Sequence, residues 1–420
     1  LLSKVAAVLR NLAVDKVHTQ RFLGVGAASS LCSLLIPFSG HHEVVLNTAR
    51  VLAKLSLHES VRRELNADPN NTRDLLATLV DQGQGLGPTH GPRNAQRLAT
   101  CVRVAFALGN LTSTNDDNRK LVGIRFGGIF TLPRLLRTAA DLYLSALRQL
   151  SPSLCATHDS LEEVLVKTVR LMANIGINHD VGRQLGLCPE VAVLEPLLRI
   201  PCPGEELLLN VVSLVTNLSF YGRGGGWGCP TGGDVARLLS RRHPGGSSLC
   251  RHLVKVLLHP NEEAVTEAAR AFGNFSRDGD ARCAMGRHRA DEVLVVLLGH
   301  PSRDVVFAVV GALVNLAADK RHKSLLWGQE LRAGEQLGRL VRRAGLADVG
   351  MATIACQALH NLLLEPLPPG GADEVVGGLE SRERLWWTLH ELLCAAGAGE
   401  EGEGAYEHFV AAASAVQRAL

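Results

Sequence analysis

The chain has 420 residues, of which 46% are hydrophobic, 20% charged and only 4% aromatic. That composition supplies ample folded core and excludes a disordered chain or a disulfide-held miniprotein. With 44 basic against 41 acidic residues, a net charge of +3, it lacks the global electrostatic footprint of a duplex nucleic-acid binder, so any charge argument is local and no nucleic-acid partner is expected.

No apolar run reaches the roughly 18 to 20 residues that a membrane-spanning helix needs, because Arg, Asn or Gly interrupts each stretch, and no membrane partner is expected. Ten cysteines are scattered without a C-x-x-C pair, which reads as reduced core thiols rather than a disulfide framework or a zinc knuckle. The sequence opens at Leu1 in mid-pattern, with neither an initiator Met nor a signal peptide, and is expected to be a piece of a longer protein.

In chain order, one phrase recurs: an apolar helical segment ending in Asn followed by Leu, Ile or Phe. The Asn slot falls at Asn11, Asn110, Asn174, Asn217, Asn274, Asn315 and Asn361, with Lys54 in the second copy. Successive slots are 43, 56, 64, 43, 57, 41 and 46 residues apart, and a period in the low forties is that of a helical repeat stacked into a solenoid. Residues five before, two before and one after each slot share one helix face, and in all eight copies they are apolar, from Ala6, Leu9 and Leu12 to Cys356, Leu359 and Leu362.

Between slots the chain reads as a short helix, a glycine break and a longer helix. In the segment from Asn115 to Leu135, Asp116 or Asp117 is the expected cap of the short helix, and Gly127 and Gly128 are expected to turn the backbone. The long spacings imply insertions: Gly/Pro-rich loops near 83–94 and 221–233, both expected to be mobile, and a longer one near 139–160 with an extra helical turn. The repeats occupy 1–365, and 366–420 reads as a linker followed by a C-terminal helical cap.

Recognisable chemistry is missing. The glycine run at 222–233 has no lysine and no preceding strand, so it is no phosphate loop, and catalytic triads and H-E-x-x-H helices are absent. Cys250 with His252 and Cys283 with His288 are isolated pairs. No enzymatic activity and no cofactor are expected. The stripe formed by the slot, four before it and seven before it is polar: Lys4, Asn47, Arg50, Lys54, Arg103, Asn110, Lys167, Arg170, Asn174, Asn210, Asn217, Arg270 and Asn274. Seven of these are basic, and only Glu267 on the stripe is acidic. Such a row suits an extended acidic peptide, because amides bond a peptide backbone while cations pair with carboxylates. The alternative is that each Asn ties its own helix to the next repeat and the cations form a solvated face; the single sign of the stripe favours partner binding.

These phrases resemble the armadillo-repeat family, which implies an all-α, right-handed superhelical solenoid of about eight repeats whose third helices line a concave groove. LVKTVRLMANIGINHDVGRQL, VVSLVTNLSFY, EAARAFGNFSRD and GALVNLAADKR, between about Val164 and Glu365, resemble more narrowly a branch implicated in building motile cilia and flagella. The first 150 residues resemble armadillo repeats only generically. The narrower resemblance implies an adaptor, in the cytoplasm and the cilium or flagellum, that links radial-spoke subunits to the intraflagellar-transport machinery; the alternative it leaves open is a permanent structural subunit of the axoneme. Nuclear-import members of the family are similar in fold but carry a Trp ladder four residues before each Asn. Here those positions are Ala7, Arg50, Phe106, Arg170, Ser213, Arg270, Gly311 and Gln357, so basic cargo is disfavoured by shape and by sign.

Overall fold

The computed structural model describes residues 1–13, 16–88, 91–149, 155–200, 204–221, 246–328, 330–365, 367–397 and 403–420, and every regular element among them is helical. The described residues form two compact units, 1–221 and 246–420. Both are stacks of one three-helix unit, an armadillo-type α-solenoid.

Each slot phrase closes the third helix of its repeat. In the first unit these slot helices are Leu2–Leu12, His42–Leu55, Pro92–Thr112, Cys155–Gly176 and Glu205–Ser219, each packed on the next. In the second they are Glu262–Phe275, Arg303–Ala317, Val349–Leu363 and Glu403–Ala419, again each on the next. The expected core stripe is buried in full in every copy from Ala49, Leu52 and Leu55 onward. Only the first copy differs, with Ala6 buried and Leu12 40% exposed. A helix that buries one apolar face on each neighbour is stable only in a stack, which is why the slot phrase repeats.

Local signals set the breaks. Asn115, and neither of the expected Asp116 and Asp117, caps the helix Asp116–Lys120, its side chain accepting from the Asn118 amide at 2.9 Å. The same position of later repeats is filled by Asn178, Asp278 and Asp319, each accepting from a first-turn amide. A cap must sit outside the helix in extended backbone, which Asn115 does and the two helical aspartates do not. Gly127 takes φ +71° between the turn Leu121–Arg125 and the helix Gly128–Gln149, as the glycine pair suggested.

The spacing of 64 is absorbed by lengthening two helices, Gly128–Gln149 and Cys155–Gly176, to 22 residues each. Their extended ends are joined by the buried Tyr143, whose hydroxyl donates to Glu162 Oε2 at 2.9 Å and whose ring stacks on His158 at 4.3 Å. Near 83–94, Asn94 bonds both the amide and the carbonyl of Gly87, at 3.3 and 3.0 Å, and Arg97 donates to the Gly85 carbonyl. Residues 85–87 are thus bonded at three backbone atoms. The loop expected near 221–233 lies outside the described residues beyond Tyr221. The segment after 366 is itself built as a repeat, with Gly371–Val376, Leu379–Gly397 and Glu403–Ala419 in the places of first, second and third helix.

Candidate functional site

The slot residues form a ladder from repeat to repeat. Asn174 Nδ2 donates to the Gly109 carbonyl at 2.9 Å, Asn217 to Ala173 at 3.0 Å, Asn315 to Gly273 at 3.3 Å and Asn361 to Val314 at 2.9 Å. In each case the acceptor is the residue just before the preceding slot. Lys54 does the same with its ammonium, reaching the Arg10 carbonyl at 3.3 Å, which explains how a lysine occupies an asparagine position. Asn110 and Asn315 also donate to the serine two after the preceding slot, Ser56 at 3.0 Å and Ser276 at 2.9 Å. Asn110, Asn174 and Asn217 therefore tie repeats together, and each half-buried amide keeps an oxygen and a second hydrogen for further use.

The remaining stripe residues separate by environment. Asn47 is only 5% exposed and belongs to the packed face of its helix, a correction to its placement on an open groove. Asn210 spends its amide on the Glu206 carbonyl of its own helix at 2.7 Å. Lys167 is paired with Glu206 of the neighbouring slot helix at 2.6 Å, and Arg270 with Glu267 at 2.7 Å. Glu206 belongs to a rung that the three-position stripe leaves out: eleven before the slot stand Glu43, Glu163, Glu206, Glu263 and Asp304. Glu43, Glu206, Glu263 and Asp304 stand in the first turn of their helices, which favours carboxylates through its exposed amides and dipole, while Glu163 lies farther along the lengthened Cys155–Gly176. The surface is consequently less one-signed than its three inner rungs.

Four cations stay clear of carboxylates. Among the described residues, no Asp or Glu lies within ion-pair distance of Lys4, Arg50, Arg103 or Arg170, all in the first unit. Arg50 is half-buried on His42–Leu55, and its guanidinium is held below the usual arginine range, first by burial and then by the like charges of Arg10 and Arg103. Arg10 closes the preceding slot helix, with Nε and Nη2 on Asn11 Oδ1 at 3.3 and 3.2 Å. Arg50 thus feels the like charge of an arginine on the slot helix to either side of its own, an arrangement that favours an anion beside it. Arg10 was hidden in the sequence because it sits one before the slot, off the stripe; its role follows only from stacking.

Among the described residues no three His, Cys, Asp or Glu side chains gather as a metal site would need, and no helix is long and apolar enough to cross a membrane. Cys32, Cys101, Cys250 and Cys356 are buried core thiols; burial pushes the last three up to about 12, far from nucleophilic use.

No family model matches the chain. It is similar to Armadillo repeat-containing protein 2 of Homo sapiens, 28% identical over 377 residues, covering 86% of this chain and 39% of that protein. The Bos taurus protein of the same name is 27% identical over 373 residues, with the same shares. The chain thus spans about two fifths of the length of these curated relatives, and the similarity runs well beyond 164–365. Among solved structures, an engineered protein from the Northeast Structural Genomics Consortium matches with TM-score 0.61 at 20% identity, covering 99% of this chain and 94% of that one. Computationally designed armadillo repeat proteins for modular peptide recognition match with TM-score 0.50 at 22% identity, covering 68% of this chain and 99% of theirs. These structures establish the fold.

Proposed function

We propose that this chain, an armadillo-repeat solenoid, is a non-enzymatic protein-binding scaffold whose first unit captures an extended acidic segment of a partner. The observation that carries the reading is the run of Arg10, Arg50, Arg103 and Arg170 on successive packed slot helices, with no carboxylate in ion-pair distance among the described residues. An Asp/Glu-rich segment relieves the like-charge repulsion felt at Arg50, and charge-assisted bonds from guanidinium to carboxylate are the stronger and geometrically selective kind. The slot amides beside them have bonding capacity left for a peptide backbone. Designed armadillo repeats made for peptide recognition share the fold, which supports a peptide as the ligand class.

At the finer level, the scaffold is a cargo adaptor for axoneme assembly, linking radial-spoke subunits to intraflagellar transport in the cytoplasm and the cilium or flagellum. The support is the likeness to Armadillo repeat-containing protein 2 and to the motile-cilium branch carried by the phrases between Val164 and Glu365. Affinity capture from a ciliary matrix, native chain beside Arg50→Glu/Arg103→Glu/Arg170→Glu, tests both levels with mass spectrometry as readout. Radial-spoke or transport-train subunits recovered by the native chain alone are the expected result. Equal recovery by both chains moves the interface away from these arginines, and recovery of neither class of subunit removes the axonemal reading.

A further inference from the structure

The second unit holds an open cleft of about 1250 Å³. Its walls are the first helices of two successive repeats, Gly279–Arg287 and Lys320–Trp327, and its floor is the slot clamp where Asn315 bonds Gly273 and Ser276. The lining is basic: Arg277, Arg282, Arg287, Lys320 and Arg321 stand against Asp280 and Asp319. Arg282 is consumed by Asp319 at 2.8 Å. Although burial opposes it, that hydrogen bond and the Arg321 amide hold the Asp319 carboxyl below the usual carboxylate range. Leaving Arg277 aside, Arg287, Lys320 and Arg321 then face one carboxylate, Asp280.

The same gap in the first unit shows what this cleft lacks. Between Asp116–Lys120 and His179–Gly186, Lys120 five after its cap meets Asp180 two after its own at 3.4 Å, and opposite charges span the gap. At the matching positions here stand Cys283 and Arg321. The guanidinium reaches the thiol sulfur at 3.4 Å and finds no anion there, while Arg287 is steadied by its Nε on the Cys283 carbonyl at 3.1 Å. Where one pair of repeats carries an acid, this pair carries an arginine, and the charge is left facing solvent across an open cleft.

We propose that this cleft is a second docking site, for an extended Asp/Glu-rich segment of a partner protein. The volume exceeds the roughly 300 to 1,000 Å³ of ordinary small-molecule pockets, which are mostly apolar. The lining's one aromatic ring, His322, is buried and bonded through both nitrogens to Asp291 and the Arg282 carbonyl, so no exposed ring offers the stacking platform on which single-stranded nucleic acid relies. The site is separate from Arg50, Arg103 and Arg170 and stands or falls without them.

Cys283 is an exposed thiol inside the cleft and Cys394 an exposed thiol elsewhere in the same unit, which gives a local readout. The full chain is alkylated with neutral iodoacetamide, with and without decaglutamate, and modification of each cysteine is followed by mass spectrometry. Decaglutamate is expected to slow alkylation of Cys283 several-fold and leave Cys394 unchanged. The protection should disappear in Arg287→Glu/Arg321→Glu, compared with that variant's own peptide-free rate, and persist in Arg50→Glu/Arg103→Glu/Arg170→Glu. Unchanged Cys283 reactivity, equal protection of Cys394, or stronger protection by oligouridine than by decaglutamate overturns the proposal.

Discussion

Single residues carry a turn device that the slot phrase does not reveal. Arg62, Arg119 and Arg282, each four after a helix cap, reach back to the carbonyl two after their own slot, at 3.0, 2.9 and 2.8 Å. In the Asn174 repeat that arginine is replaced by Gly182, and the next repeat supplies Tyr221, whose hydroxyl donates to the Gly176 and Ile177 carbonyls at 2.8 and 2.7 Å. The glycine is needed for room, since a Cβ there would lie 2.1 Å from the Tyr221 ring and 2.4 Å from the Gly176 oxygen. Gly182→Ala is expected to cost about 1–3 kcal/mol by overpacking, and Tyr221→Phe about 1 kcal/mol, both read from denaturant midpoints. Burial pushes the Tyr221 phenol from 10.0 up to about 12. A raised value means that the folded state holds the proton more tightly, so its stabilisation is complete below pH 10 and is lost as pH rises toward 12. Tyr221→Phe should flatten that part of the alkaline stability profile. At Arg50 the sign reverses: replacing it with Gln relieves repulsion from Arg10 and Arg103, with an expected gain of ~0.5 kcal/mol, while acidic-peptide binding weakens. A loss of stability would show that Arg50 is held by contacts other than those of a ligand site.

Among elements, the slot helix is the one that sequence reading captures best, because its face must stay apolar at fixed offsets in every copy to stack. Gly127 was equally legible, and the turn depends on it: nothing lies within 4 Å of a Cβ there, so Gly127→Ala should cost about 1 kcal/mol through φ +71° alone. A loss far above that in urea unfolding would point to a contact rather than to backbone conformation. What the sequence hid is set between elements. The pairing of Lys167 with Glu206 joins residues 39 apart, and Asn47, polar and on the stripe, is turned into packing by the neighbouring helix. The 366–420 segment lost its likeness to a repeat because no Asn slot marks it, yet its last helix packs on Val349–Leu363 as a slot helix does.

For the molecule as a whole, a net charge of +3 conceals local imbalance. Glu206 and Glu267 pair with Lys167 and Arg270, while among the described residues no carboxylate lies within ion-pair distance of Arg50, Arg103 and Arg170 in the first unit or of Arg287 and Arg321 in the second. Such exposed charge binds partners through a salt-dependent term, so capture of an acidic segment should weaken steeply as ionic strength rises; salt-independent capture would mean an apolar interface. Four of the seven cations on the sequence stripe mark the candidate site, and the other three are spent on structure. The most direct measurement of that division is fluorescence anisotropy of labelled decaglutamate on the Arg287→Glu/Arg321→Glu background, which silences the cleft. Adding Arg50→Ala/Arg103→Ala/Arg170→Ala should abolish binding, and adding Lys167→Ala/Arg270→Ala should leave it nearly intact. Equal losses from the two sets would contradict the account, because paired and unpaired cations would then be interchangeable.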